Sequence, residues 1–422
     1  MSVIQVFGLT PLKGEISIQG SKNAVLPMMA AALLHRGITV LTNVPVIKDV
    51  ACMLDILEYL GARCCHKGDC LVIDARHITK TSIPEQYVTA MRSSIVVLSA
   101  LLGRMGEGTS CYPGGCLIGA RPIDMHLLAL RSLGADIQER DGLIEARCSE
   151  PEGLLGTEIH LPYPSVGATE QAVLASVLAR EVTVIHGAAR EPEISQLCRF
   201  LNNMGAVICG MGTDHIMVQG VEGLHDSSFR VEGDRIVAGT YAAAVAAAGG
   251  SIILKEIRPT ELELPLGMLK QAGAAVRIES CCRQIHITME GRPRGLDIRT
   301  GPYPEFPTDL QSPFMAFLAA GEGRSTIEEK VFEGRFATAR ALEQMGAFIR
   351  TEGRTAVIEG HYPLKGAMVS ASDLRGGAAL AVAALAAEGE TRIRDCVHIE
   401  RGYEDICRDM AALGADIRWL GE

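Results

Sequence analysis

The chain has 422 residues, more than the roughly 250–300 at which one hydrophobic core stops growing, so two domains are expected. Its composition is globular, with 48% hydrophobic, 21% charged and only 4% aromatic residues, so Ala, Val, Leu and Ile carry the core. A formal net charge of −10 argues against nucleic acid or an anionic membrane as partner, although clustered Lys and Arg can still hold a small anion.

Thirteen cysteines are scattered and odd in number, which does not suit a disulfide framework. Pairs such as Cys64–Cys65 and Cys281–Cys282 lack CxxC spacing, so no metal site is expected from them. No basic segment leads into an apolar run at the N-terminus, and the longest apolar runs, AVLPMMAAALL and AALAVAALAA, fall short of the ~18–20 residues of a membrane span. The expectation is a cytoplasmic protein with reduced thiols.

In chain order, GEISIQGSKNAVLP predicts a strand turning into a helix at Lys22 and Asn23, and a Lys at a helix N-terminus is a natural anion site. The apolar helix continues through MMAAALL and breaks into the strand ITVLTNV, after which ILEYLGARC ends a second helix at Gly61. Glycine is the usual residue for the left-handed position after a helix. TAMRSS then places Arg92 just after a helix start, and YPGGCLIGARPIDMH forms a Gly- and Pro-rich segment of the kind that serves as a lid. Cys116 lies at its centre with Arg121 five residues on, and a nearby guanidinium makes a thiol acidic enough to exchange protons near neutrality. LRSLGADI ends the next helix at Gly134, and LPYPSVGATE sets Ser165 and Gly167 ahead of an apolar helix, a geometry suited to oxyanions. AAREPEI gathers Arg190, Glu191 and Glu193 in one loop.

The pattern then recurs. L-x-x-[LM]-G-A-x-[IV] and close variants centre on Gly61, Gly134, Gly205, Gly273, Gly346 and Gly414, separated by 73, 71, 68, 73 and 68 residues. Upstream of most copies an Ala-rich helix gives way to a strand, as in YAAAVAAAGGSIILKEI and LAVAALAAEGETRIRDC. Helices apolar nearly all round belong in a core. Six repeats of about 70 residues are longer than the usual 20–50 of solenoids and divide as three per domain, helices central and sheets outside. A composition shift near VQGVEGLHDSSFRVEGDR marks the boundary. In the second half, GPYPEFPTDLQ presents Asp309 after two prolines, SASDLRGG presents Asp373 and Arg375, and IERGYED presents Arg401. Each alone reads as a surface ion pair; together they put cations and an isolated Asp on loops of both halves.

At GSKNAVLP, GGCLIGARP, PSVGAT, REPEI, FPTDLQ, DLRGGAAL and ERGYE the chain resembles the UDP-N-acetylglucosamine enolpyruvyl transferases of bacterial peptidoglycan synthesis, over about residues 3–418. The resemblance implies an α/β fold, a two-domain inside-out barrel of six βαβαββ repeats. One domain would run over residues 22–232, carrying the Cys116 loop. The other would join residues 1–21 to 233–422 and carry Asp309 and Arg401. By the same resemblance, the enzyme moves the enolpyruvyl group of phosphoenolpyruvate to the sugar 3-hydroxyl, releasing phosphate, with no metal or organic cofactor. That is the first committed step of cell-wall synthesis, on which cell shape and division depend, and the family is the target of fosfomycin.

The resemblance also assigns residues. Cys116 is similar to the lid cysteine acting as general acid, Asp309 to the base near the 3-hydroxyl, and Asp373 to a carboxylate in proton transfer. Lys22, Arg121 and Arg401 look like the cations holding the phosphate and carboxylate. The UDP-sugar contacts would be Asn23, Arg92, Arg121, Pro122, Ile123, Asp124, Met125, Tyr163, Pro164, Ser165, Val166 and Val331, with Gly167, Arg335 and Arg375 also at the substrate. There are departures: EGRF stands where ENRF is usual, IRPTELE where His-Leu-Glu is frequent, and Tyr163–Pro164 where some members have Lys. Expected partners are the two small-molecule substrates, no nucleic acid and no membrane, with the chain a monomer or weak homo-oligomer. Three alternatives stand beside this reading. The shikimate-pathway transferase lacks an equivalent of GGCLIGARP, and an RNA-end cyclase fits poorly with the acidic charge. A catalytically weak UDP-sugar-binding paralogue with a regulatory role would not need the Lys22, Cys116, Asp309 and Arg401 set.

Overall fold

The computed structural model describes residues 3–114, 119 and 122–421. They fall into two compact units, one formed by residues 20–114 and 122–232, the other by residues 3–19, 119 and 233–421. Among the described residues no helix is long and apolar enough to cross a membrane, and no cysteine is in a disulfide.

Each unit is built around three helices with almost no exposed face. In the 20–232 unit these are Lys22–Ala31, Val96–Met105 and Val166–Ser176; in the other they are Arg235–Ala248, Gln311–Ala319 and Leu374–Leu385. Residues 235–247 are buried without interruption, as are 375–385. Small side chains make this possible, because alanines let helices approach closely while still filling space at interior density. Within the second unit all three helices pack on one another, and in the first Val96–Met105 packs on both of the others.

Four-stranded sheets cover these helices. In most repeats the strand after the buried helix pairs in parallel with one neighbour and antiparallel with the other, as Ile38–Thr42 does with Ser227–Arg230 and Cys70–Asp74. The sheet Glu107–Cys111, Leu143–Cys148 and Ala135–Arg140 has three strands, extended by a single bridge from Ser82 to Thr109. The buried helices in and the sheets out give the inside-out α/β arrangement expected from the repeats.

Two strands are exchanged along the chain. Leu12–Ser17 precedes the Lys22 helix yet pairs with Gly250–Lys255, register Leu12 to Gly250, whereas Ser227–Arg230 precedes the Arg235 helix yet pairs with Ile38–Thr42. Val3–Phe7 completes the last repeat, lying between Glu390–Arg394 and Asp416–Leu420 with Ile4 opposite Ile393 and Trp419.

A second helix in each repeat ends at the signature glycine, and all six have positive φ, from +86° at Gly346 to +114° at Gly61. The following alanine N–H reaches back to the carbonyl five residues earlier: Ala62 to Leu57, Ala206 to Leu201, Ala274 to Leu269, Ala347 to Leu342 and Ala415 to Met410. This is the Schellman closure, and the Ala and the Leu or Met it reaches back to are both buried. It gives the L-x-x-[LM]-G-A pattern its physical cause.

Candidate active site

In five of the six repeats the buried helix is entered at a residue singled out from sequence or close beside one; the Arg235–Ala248 helix is the exception. In the 20–232 unit, Lys22 is the first residue of its helix. Its ammonium would repel the positive helix end, and Asp49 answers it at 2.7 Å with both side chains nearly buried. Asn23 follows, half-buried. Arg92 departs from expectation: the helix Glu85–Ala90 has already ended, Met91 is extended, and Arg92 opens the short turn Arg92–Ile95 that runs into Val96–Met105. Its Nη2 donates to the Pro122 carbonyl at 3.4 Å.

From Pro122 and the buried Ile123 the chain enters the helix Asp124–Ser132, which packs on Val166–Ser176. Gly167 is needed at that crossing, since a Cβ there would stand 2.5 Å from Cε1 of the buried His126. Ser165 caps the helix, its Oγ accepting from the Ala168 N–H at 3.4 Å. The Thr169 hydroxyl donates to the Ser165 carbonyl and accepts from the Ala189 N–H, tying the 187–191 loop to the same helix start; Glu193, expected in that loop, lies instead in the first turn of the helix Pro192–Asn203. Arg92, Pro122–Met125 and Tyr163–Gly167 are thus held together. Tyr163 is exposed, while Pro164, Ser165 and Val166 are half-buried. Beneath them Glu170 is buried, and burial, then Glu193 and Glu191, push its pKa up to about 8.

In the second unit the helix starts carry aspartates. Asp234 caps Arg235–Ala248, accepting from the N–H groups of Ile236 and Val237, and Asp373 caps Leu374–Leu385, accepting from those of Arg375 and Gly376. Asp309 lies in the turn Thr308–Leu310 ahead of Gln311–Ala319. One carboxylate oxygen accepts from Arg335 Nη2, and the other accepts from Arg375 Nη2 at 2.9 Å and Nε at 3.2 Å. The side chains of both arginines are 5% exposed or less. Burial opposes the Arg375 charge, but Asp309 first, with Tyr403 and Asp234, holds its pKa above the ordinary value. Val331 is positioned by Glu329, whose buried carboxylate accepts from the N–H groups of Val331 and Phe332 and from the Thr308 hydroxyl. Arg401 ends the turn Cys396–Arg401, which packs on the Leu374–Leu385 helix.

Asp309, Arg335, Arg375 and Asp373 therefore form one cluster. Lys22 and the Arg92–Ser165 group stand in the other unit, and Cys116 and Arg121 lie outside the described residues. Sequence reasoning missed Asp49, Glu170, Asp234 and Glu329. Only Asp234 had a local signal, since its place before a buried helix repeats that of Asp373. Burial pushes the thiols of Cys64 and Cys198 up to about 12, so neither is a proton donor near neutrality.

The sequence matches, over residues 6–410, the family described as EPSP synthase (3-phosphoshikimate 1-carboxyvinyltransferase). It is 44% identical over 418 residues to UDP-N-acetylglucosamine 1-carboxyvinyltransferase 2 of Caldanaerobacter subterraneus, covering 99% of both chains. It is 46% identical to UDP-N-acetylglucosamine 1-carboxyvinyltransferase 1 of Symbiobacterium thermophilum, covering 98% of this chain and 94% of that one. Among solved structures, the enolpyruvyl transferase NikO from Streptomyces tendae superposes with a TM-score of 0.89 at 23% identity, over 99% of this chain and 98% of that one. EPSP synthase from Acinetobacter baumannii superposes with 0.76 at 19%, over the whole of both. These two likenesses concern the fold.

Proposed function

The chain belongs to the EPSP synthase (3-phosphoshikimate 1-carboxyvinyltransferase) family, and we propose from that premise how its own residues serve the reaction. The protein is a UDP-N-acetylglucosamine 1-carboxyvinyltransferase: it transfers the enolpyruvyl group of phosphoenolpyruvate to the 3-hydroxyl of UDP-N-acetylglucosamine and releases phosphate, in peptidoglycan synthesis. The observation that carries this is near-full-length identity to transferases of that name. We place the enzyme in the cytoplasm, where both nucleotide sugar and phosphoenolpyruvate are made.

The chemistry is addition followed by elimination. A proton added to the terminal methylene of phosphoenolpyruvate makes the middle carbon electrophilic, and the sugar oxygen bonds to it while losing its own proton. Phosphate then leaves the tetrahedral adduct, and a methyl proton departs to restore the double bond. In our reading Cys116 delivers the first proton and Asp309, aimed by two guanidiniums, takes the hydroxyl proton. Lys22, Arg121 and Arg401 hold the phosphate and carboxylate, each charge-assisted hydrogen bond contributing about 1.5–3 kcal/mol. Asp373 takes part in proton transfer. Asn23, Arg92, Pro122–Met125, Tyr163–Val166 and Val331 receive the UDP-sugar, with Gly167, Arg335 and Arg375 beside them; the convergence of Arg92, Pro122 and the Ser165 cap supports this set.

The thiol provides the test. Fosfomycin should inactivate the protein, Cys116→Ala should lose most turnover and all inactivation, and Cys116→Asp should retain turnover while resisting the epoxide. Inactivation of Cys116→Ala at the rate of the unsubstituted protein would refute the assignment.

A further inference from the structure

On the outer face of the sheet Glu158–His160, Val182–His186, His215–Gln219 three histidines form a row. His160 is the register partner of His186, and His186 is the partner of His215. The His160 and His186 rings stack with centroids 4.4 Å apart and planes within 4°. Glu158 sits two residues before His160 on the same face, its Oε2 3.5 Å from Nε2 of His160 and 3.5 Å from Nε2 of His186. All three donor atoms lie within 4.8 Å of one another.

We propose that Glu158, His160 and His186 form a binding site for a divalent transition metal, zinc in the first place, clamping the ends of two parallel strands. Donors around a tetrahedral ion with bonds of ~2.0–2.1 Å are ~3.4 Å apart, close to the 3.5 Å from Glu158 Oε2 to each imidazole nitrogen; the stacked rings hold their in-plane lone pairs parallel, so binding requires one imidazole to rotate until both nitrogens face the ion. Two imidazoles and one carboxylate form a donor set suited to Zn²⁺, with Cu²⁺ and Ni²⁺ as competitors. Nε2 of His186 is buried and makes no hydrogen bond, an atom whose desolvation a metal bond would offset. His215 stands edge-on to His186 at 5.0 Å, its Nδ1 paired with Asp214 at 2.8 Å, the carboxylate–imidazole arrangement that orients metal-facing histidines. The fourth position is left to water or to a turn of His215. These donors come from separate strands and include no thiol, so the absence of CxxC spacing has no bearing on them.

His160 and His186 are the last residues of their strands. From them depart the segments leading to Ser165 and to Glu191–Glu193, so the ion would join two loop roots. The site stands independently of the transferase reading.

The test uses untagged, full-length protein stripped with chelator, titrated with Zn²⁺ by calorimetry and with Co²⁺ by absorption. Expected are one Zn²⁺ per chain, affinity at least about tenfold weaker in His160→Ala and in His186→Ala, and Co²⁺ bands without thiolate charge transfer. Zn²⁺ should also raise the unfolding temperature of the unsubstituted protein and not that of the double variant. Absence of stoichiometric binding, equal affinity in the double variant, or a thiolate band showing that cysteines hold the ion would each overturn the proposal.

Discussion

Asp309 stands between two guanidiniums that are themselves almost wholly buried, so its carboxylate has two tasks. It neutralises Arg335 and Arg375, and in our reading it accepts the sugar proton. Removing one member of a buried ion pair typically costs about 3–5 kcal/mol, because the remaining charge is left desolvated. Asp309→Ala therefore confounds folding with catalysis. Asp309→Asn also removes the charge but keeps an oxygen that accepts from the arginines, so it perturbs folding less while removing the base. Expected for this variant are UDP-N-acetylglucosamine affinity within about tenfold of the unsubstituted protein and turnover lower by about 10²–10⁴-fold, the usual contribution of a general base. Calorimetry and phosphate release measure the two quantities, and unaltered turnover would remove Asp309 from the mechanism.

The helix Val166–Ser176 shows what burial does to one element. Glu170 inside it has a pKa of about 8 against an ordinary 4.5, through burial and then Glu193 and Glu191. The unfolded chain gives up this proton near 4.5, so between these values the folded state holds more protons. Stability therefore falls as pH rises through that window and levels off above about pH 8. Glu170→Gln removes this proton linkage; its unfolding temperature should gain on that of the unsubstituted protein between about pH 5 and pH 8. A parallel pH dependence in the two would show that Glu170 is not the group responsible. The same scale shows how much the sequence disclosed. The six glycine-ended helices were legible because their cause is local: a left-handed residue, followed by a small apolar one that closes back on Leu or Met. The buried Ala-rich helices were legible because no polar face interrupts them. Asp49 and Glu329 were not, since their partners Lys22 and Thr308 are brought to them by packing. Arg92 was misplaced by a few residues because Met91 breaks the helical path with an extended backbone that no Gly or Pro announces. The exchange of Leu12–Ser17 for Ser227–Arg230 leaves no composition mark on either strand.

For the whole molecule, an acidic chain must concentrate its cations to hold highly anionic substrates. The helix starts are divided accordingly. One unit enters its buried helices at Lys22, Arg92 and Ser165, the other at Asp234, Asp309 and Asp373 with Arg335 and Arg375 packed on them. Repeats that share one backbone plan thus differ at the position where a buried helix begins, and the identity of the acceptor sugar is the most specific element of the proposed reaction. Phosphate release from phosphoenolpyruvate, measured with UDP-N-acetylglucosamine and separately with shikimate 3-phosphate, tests it directly. Release only with the nucleotide sugar is the expected result; release with shikimate 3-phosphate alone, or with neither, would contradict the account.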